Sequence, residues 1–325
     1  MTRVDAVYGH VLILHAWMHS YFATEVRVQV AECVTENAVL PQPRYAGLWR
    51  SIVTAPAVKD RLLHNALLGL ELRWKLTFDV TALHGLILLF GPPGTGKTTL
   101  ARGVAQEMAP LVAGGKVRLI EINPHGLMSA EHGQSQQKVY ELLSEHIPHL
   151  ADDKMPTVVL LDEVESITVA RSAASLSANP ADVHRATDAV LASLDRTAAD
   201  HPNIVTVATS NFTDALDDAF KSRADASIEV PLPDASAIAS ILSQTLNDFA
   251  EAYAPLASLA ADKRLATIAT RLVGADGRQV RKLVTDAMST SLDTVQDPGR
   301  LTITQLEEAA TGLKAAASGD HNAAA

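Results

Sequence analysis

Residues 91–98 read Gly91-Pro92-Pro93-Gly94-Thr95-Gly96-Lys97-Thr98, a complete match to the pattern G-x-x-x-x-G-K-[ST]. An apolar run, Leu86–Phe90, precedes it, and a helical pattern over Thr98–Met108 follows it. A strand, a glycine turn and a helix are the context this pattern requires. The glycines let the backbone fold tightly and turn its N–H groups toward one point. That point coincides with the N-terminus of the next helix, where the dipole favours an anion. Lys97 adds a mobile positive charge for the β- and γ-phosphates of a nucleotide. The Thr98 hydroxyl is a hard oxygen ligand suited to Mg2+, and Thr99 completes the candidate contact set in the first helical turn.

Outward from this loop, short apolar runs alternate with helical stretches. The strands are expected at Leu86–Phe90, Val117–Ile122, Thr157–Leu161, Ile204–Ala208 and, more weakly, Ser227–Val230. The helices include Pro56 to about Lys75, Thr98–Met108, Gln136–Ile147 and Ala181–Arg196. The first four strand runs lack alternation, as strands covered on both faces do. The alternation implies an α/β fold with a parallel five-stranded sheet flanked by helices.

Two further sites lie at strand ends. Thr157–Leu161 runs into Asp162-Glu163, and strand C-termini in a parallel sheet converge on the ligand crevice. Asp162 is suited to hold Mg2+ through its water shell, and Glu163 to orient and deprotonate an attacking water. Alone, such a pair is a solvated acidic turn; about 65 residues after a phosphate loop it becomes a catalytic signal. The run Ile204–Ala208 ends in Thr209-Ser210-Asn211, where Asn211 can hold the water or the γ-phosphate.

Composition bounds the rest. The 325 residues carry 27 Lys+Arg against 37 Asp+Glu, a net charge of −10, which argues against a broad duplex-binding face and makes nucleic acid an unexpected partner. The single cysteine, Cys33, removes any intramolecular disulfide and any Cys-rich zinc site. No apolar run approaches the ~20 residues that span a bilayer, so the expectation is a cytoplasmic protein without a membrane segment. Residues 1–47 form a short N-terminal element and linker in which His10, His15 and His19 lie close together without a shared helical face, and Pro41-Gln42-Pro43 breaks the pattern. Residues 48–233 form the α/β domain. Residues 234–314 form a small all-α lid in which Val280, Leu283, Val284, Ala287 and Met288 share one stripe, and 315–325 are a frayed tail.

These segments together resemble an AAA+ ATPase: GPPGTGKT, Leu160-Leu161-Asp162-Glu163-Val164-Glu165-Ser166, Ala208-Thr209-Ser210-Asn211, Ser222-Arg223-Ala224-Asp225 and Gly274-Ala275-Asp276-Gly277-Arg278 occur in that order. Within that superfamily the chain is similar to the pachytene checkpoint family of HORMA-domain remodellers, through residues 121–125, 162–171 and 277–283 and through Leu48-Trp49-Arg50-Ser51-Ile52-Val53. The resemblance implies ATP and Mg2+ as cofactors and a homohexameric ring. It implies that Asn211 is the first nucleotide sensor, Arg223 an arginine finger acting on the neighbouring subunit, and Arg278 the second sensor on the lid. It also places Ile52 and Val53 beside the adenine.

The resemblance further implies a HORMA-domain client and, through related prokaryotic proteins, a setting in antiviral defence. Two departures matter. The family's ring-facing loop carries a bulky aromatic pair, whereas Ser129-Ala130-Glu131-His132-Gly133 places Glu131 and His132 there, which weakens any grip on a threaded chain. The N-terminal segment is also shorter than a full recruiting domain. The alternative to a remodeller is therefore an ATP-dependent switch that binds and releases a partner without threading it.

Overall fold

A computed structural model describes residues 32–127, 134–170 and 180–322. Its strands are β1 (Val34–Leu40), β2 (Leu86–Phe90), β3 (Val117–Ile122), β4 (Thr157–Leu161), β5 (Ile204–Ser210) and β6 (Ala226–Glu229). The helices named below are α1 (Pro56–Lys75), α2 (Lys97–Met108), α3 (Gln134–Tyr140), α4 (Pro180–Asp200), α5 (Asp218–Ser222), α6 (Ala235–Ala250), α7 (Gly277–Met288) and α8 (Ile303–Asn322).

The sheet has six strands in the order β1-β3-β4-β5-β2-β6. β3, β4 and β5 pair in parallel, Leu119 opposite Val158 and Val158 opposite Val205. Every residue of β4 and β5 is buried, which is why these segments show no apolar–polar alternation. The expected five strands are all present, and a sixth is added. β1 pairs antiparallel with β3, Leu40 opposite Val117, and forms one edge. Its sequence, VTENAVL, carries Glu36 and Asn37 mid-strand, so pairing with β3 rather than intrinsic propensity makes it a strand.

Chain order and packing do not coincide. Within the described residues, 32–41, 64–88 and 108–227 make one compact unit, and 42–63, 89–107 and 228–322 make the other. In the first unit, the helical stretch expected over Gln136–Ile147 is present but changes type: α3 continues as a π-turn over Glu141–His146 and then a turn of α-helix to Leu150. Pro148 supplies the reason, since it lacks the N–H that would bond four residues back and its ring crowds that carbonyl. Val139, Leu142, Leu143 and Ile147 are all buried as expected.

Arg73 closes the lower end of this unit. Its buried guanidinium donates to the carbonyl of Ile204 at the start of β5, to Thr197 O (3.0 Å) in the last turn of α4 and to His201 O (3.2 Å) just beyond it. Thr197 O also accepts from His201 N and His201 O from Ile204 N (3.1 Å each), so Arg73 is a second, charged donor where the helix ends. Burial pushes the Arg73 pKa down to about 10, with Asp225 opposing the shift.

The second unit is built on a helical core of α6, α7, α8 and shorter helices, with Ile238, Leu242, Leu246, Ile268, Val280, Val284 and Leu306 fully buried. The stripe expected on α7 is the buried face: Val280, Leu283, Val284, Ala287 and Met288. Each fully buried Leu or Val contributes roughly 1.5–3 kcal/mol relative to exposure, enough to set which face turns inward. Helix α8 extends to Asn322, so the helical backbone runs through most of the stretch expected to fray; alanine there favours helix.

Candidate functional site

The glycine loop follows β2 and ends at the first turn of α2. Gly94 and Gly96 have φ of +76° and +92°, a region that residues with a Cβ rarely adopt. Their surroundings are close as well. A Cβ on Gly94 would lie 2.2 Å from the Asp276 carboxylate carbon, and one on Gly96 would lie 2.4 Å from Ile52 Cδ1. Lys97 is buried, and its ammonium donates to Gly91 O (2.7 Å) and Pro92 O (2.8 Å). Thr95 Oγ1 donates to Pro92 O (3.0 Å). The lysine is thus curled over the loop carbonyls, and the positive-φ glycines form a cradle that side chains would fill. These residues fit a polyphosphate.

The surroundings of the loop come from both sequence neighbours of its unit. Ile52 packs on Gly96, Val53 packs against the helical core, and the Arg281 guanidinium donates to Ser51 O. Asp276 caps α7 with a capping box: its carboxylate accepts from Arg278 N (2.8 Å) and Gln279 N (2.9 Å), while Gln279 Oε1 accepts from Asp276 N (3.0 Å). Arg278 follows in the first turn of α7, with its residue exposed. The structure therefore brings Ile52, Gly94, Gly96, Lys97 and the start of the Arg278 helix into one unit.

The acid pair belongs to the other unit. Asp162 follows the end of β4 in a turn, and Glu163 takes a left-handed backbone, φ 51° and ψ 52°. That conformation costs ~1–2 kcal/mol for a residue with a Cβ. It is held by Thr209, buried at the end of β5. Thr209 Oγ1 accepts from Glu163 N (3.0 Å) and donates to Asp162 Oδ1 (2.6 Å). Asn211 adds its amide, Nδ2 donating to Glu163 Oε1 (3.4 Å), and its own N–H donates to Glu165 Oε1 (3.1 Å). The left-handed turn sends the two adjacent carboxylates in different directions, Asp162 onto the hydroxyl and Glu163 onto the amide.

Arg223 caps the end of α5 in the same unit. Its Nε donates to Asp195 Oδ1 (2.7 Å), Nη2 to Asp195 Oδ2 (2.9 Å) and Nη1 to Ala219 O (3.0 Å). The hydrogen bond from Arg223 holds the Asp195 carboxyl below the usual carboxylate range, with the Arg223 and His84 charges adding to it. Two residues on, Asp225 accepts from the N–H groups of His84 (2.9 Å), Gly85 (2.7 Å) and Leu86 (3.2 Å). Burial nevertheless pushes the Asp225 carboxyl up, because it outweighs those three donors.

Sequence reasoning expected Asn211 to hold the attacking water or the γ-phosphate; it missed Thr209 as the organiser of the acid pair, Asp195 as the partner of Arg223, and Asp276 as the neighbour of Gly94. The Asp276-Gly277-Arg278-Gln279 spacing is a readable capping signal; nothing in the sequence marked Asp195. Glu131, His132 and the three N-terminal histidines lie outside the described residues. Among the described residues no cluster of three His, Cys, Asp or Glu could hold a metal ion, and no helix is long and apolar enough to cross a membrane.

The chain is similar to several known proteins. The family model described as "ATPase family associated with various cellular activities (AAA)" matches residues 87–232. CD-NTase-associated protein 6 of Pseudomonas aeruginosa is 44% identical over 270 residues, covering 83% of this chain and 88% of that protein. The pachytene checkpoint protein 2 homolog of Danio rerio is 34% identical over 268 residues, covering 75% of this chain; the chain spans 63% of that relative's length. Among solved structures, C. elegans PCH-2 superposes with a TM-score of 0.69 at 26% identity, over 87% of this chain and 75% of that one. A chain of the E. coli MS115-1 HORMA:CdnC:Trip13 complex shares the fold, with a TM-score of 0.62 at 18% identity over 87% of this chain and 96% of that one. The chain belongs to the AAA ATPase family that includes CD-NTase-associated protein 6 and the pachytene checkpoint protein 2 homologs.

Proposed function

We propose that the chain is an ATP-hydrolysing remodeller that works as a homohexameric ring in the cytoplasm on a HORMA-domain client, in antiviral signalling. The observation that carries the hydrolytic part is the left-handed turn at Glu163, held by Thr209 with Asn211 on the carboxylate. A residue held at a backbone cost beside a second acid is a mark of a site that needs that direction. The client and setting rest on the names of the relatives: one is CD-NTase-associated, and a chain of the same fold stands in a complex with a HORMA protein.

Each residue then has a role. Gly91 to Thr99 cradle the triphosphate, with Lys97 exchanging loop carbonyls for phosphate oxygens. Ile52 and Val53 flank the adenine. Thr98 and Asp162 are the residues suited to hold Mg2+, which when bound neutralises charge on the phosphate oxygens. Glu163 accepts a proton from the attacking water, and Asn211 fixes that carboxylate and the water. Arg278 reaches the phosphates from the helical core, and Arg223 acts on the neighbour's nucleotide, a contribution of about 10³–10⁵ in rate for such arginines.

The test is Glu163→Gln. This variant should bind ATP, stall turnover and accumulate a ring with its client. Turnover at the wild-type rate would refute the assignment. A non-threading switch is the second reading, favoured by Glu131 and His132 in place of an aromatic pair. Replacing both by Ala separates the two: a threading enzyme loses client unfolding and keeps ATPase activity, and a switch keeps its ATPase activity and its binding and release of the partner.

A further inference from the structure

An arginine at the end of a five-residue helix has four rotatable side-chain bonds, and fixing them costs up to ~2 kcal/mol. Arg223 is nevertheless fixed at both ends within one unit. Asp225 ties its turn to the start of β2 through three N–H groups. Asp195, five residues before the end of α4, takes the side edge of the guanidinium through Nε and Nη2. His84 Nε2 lies 3.3 Å from the same Asp195 oxygen, so the carboxylate is braced from a third element. Neither Asp195 nor His84 figures in any motif of the family resemblance.

The choice of edge matters. A guanidinium carries five N–H donors in a rigid plane. The bonds to Asp195 and Ala219 use Nε–H and one N–H from each terminal nitrogen. One N–H on each of Nη1 and Nη2 remains for a further acceptor, and the side chain keeps 23% of its exposure. A carboxylate that meant to silence the arginine would occupy the end edge between Nη1 and Nη2. This one grips the side.

We infer that Asp195 is a positioning residue for the reaction, aiming Arg223 at an oxyanion on the adjoining subunit. The inference rests on the reading of Arg223 as the finger supplied in trans. Holding a charged group to within about 1 Å is worth ~10²-fold in rate, because transition-state stabilisation falls steeply with misplacement.

The experiment measures kcat and KM for Mg-ATP on the full chain at concentrations where it assembles, for wild type, Arg223→Ala, Asp195→Ala and Asp195→Asn. Arg223→Ala should lose about 10³-fold or more in kcat. Asp195→Ala should lose roughly 10–100-fold in kcat at unchanged KM, with Asp195→Asn between it and wild type. Mixing Asp195→Ala with Glu163→Gln subunits supplies a control for folding. Each variant alone is impaired, but an interface pairing the intact acids of one with the intact Arg223–Asp195 pair of the other should be active, so the mixture should exceed the sum of its parts. If Arg223→Ala is inert while Asp195→Ala keeps the wild-type kcat, runs faster than wild type, or gains nothing on mixing, the inference is overturned and the finger reading survives. If Arg223→Ala itself runs at the wild-type rate, the finger reading falls and the inference falls with it.

Discussion

Thr209→Val removes one hydroxyl and keeps the shape of the side chain, at a residue only 1% exposed. The hydroxyl makes two bonds that organise the acid pair, donating to Asp162 Oδ1 at 2.6 Å and accepting from Glu163 N at 3.0 Å. The first is charge-assisted, worth ~1.5–3 kcal/mol, and the second ~1 kcal/mol. The left-handed backbone at Glu163 costs ~1–2 kcal/mol, so the lost bond to its N–H is comparable to the strain it offsets. The bond from Ser166 N to Glu163 O (3.0 Å) remains but belongs to the following turn. The valine variant should therefore let Glu163 turn away and leave Asp162 a donor short. Losing a partner of this kind typically costs about 10–100-fold in activity or metal affinity. ATPase assays across a Mg2+ titration should show kcat down by that factor and the Mg2+ midpoint raised. Calorimetric ATP binding should stay within a few-fold, since the glycine loop is untouched, and Thr209→Ser should restore turnover. A valine variant with wild-type kcat and wild-type Mg2+ dependence would refute the argument.

Three more outcomes follow from the geometry. Gly94→Ala should cut nucleotide affinity and lower the melting temperature, because its Cβ would meet the Asp276 carboxylate; adding Asp276→Ser should recover part of the loss, a non-additivity a double-mutant cycle reads directly. Arg73→Met should destabilise by ~2–4 kcal/mol in a denaturant melt by removing the charged donors to the Thr197, His201 and Ile204 carbonyls, and Arg73→Lys should fail to rescue because one ammonium cannot reach them together. Asp195, held below the usual carboxylate range, contributes stability that is fully present above its unfolded pKa of ~3.9 and is lost as pH falls through the folded value. The difference in melting temperature between wild type and Asp195→Asn should thus be flat from pH 6 to 8 and shrink below about pH 4.

Much of the fold was legible because burial writes itself into the sequence. β2, β3 and β4 fall on the residues their apolar runs predict, and the inward stripe of α7 is the one its periodicity names. What escaped depends on partners far along the chain. β1 is polar at Glu36 and Asn37 and becomes a strand only against β3, 77 residues or more away in the register. Asp195 lies 28 residues from Arg223 on another helix, so no local pattern could pair them. Lys97, Asp162 and Glu163 stood out because their chemistry is encoded in adjacent residues. Thr209 did not, since a threonine at a strand end reads as ordinary until its hydroxyl is seen between two acids.

The interleaving of the two units has a consequence for anyone dissecting this protein. The glycine loop is packed by Ile52 on one side of it in sequence and by Val230 and Asp276 on the other, all within its own unit. A clone stopped before Ile228 would retain every letter of the loop and lose two of the three supports that give it shape. Neither unit corresponds to a contiguous stretch of gene, so a single cut inside 42–322 divides at least one of them, and a fragment made to measure nucleotide affinity has to keep 42–63, 89–107 and 228–322 together.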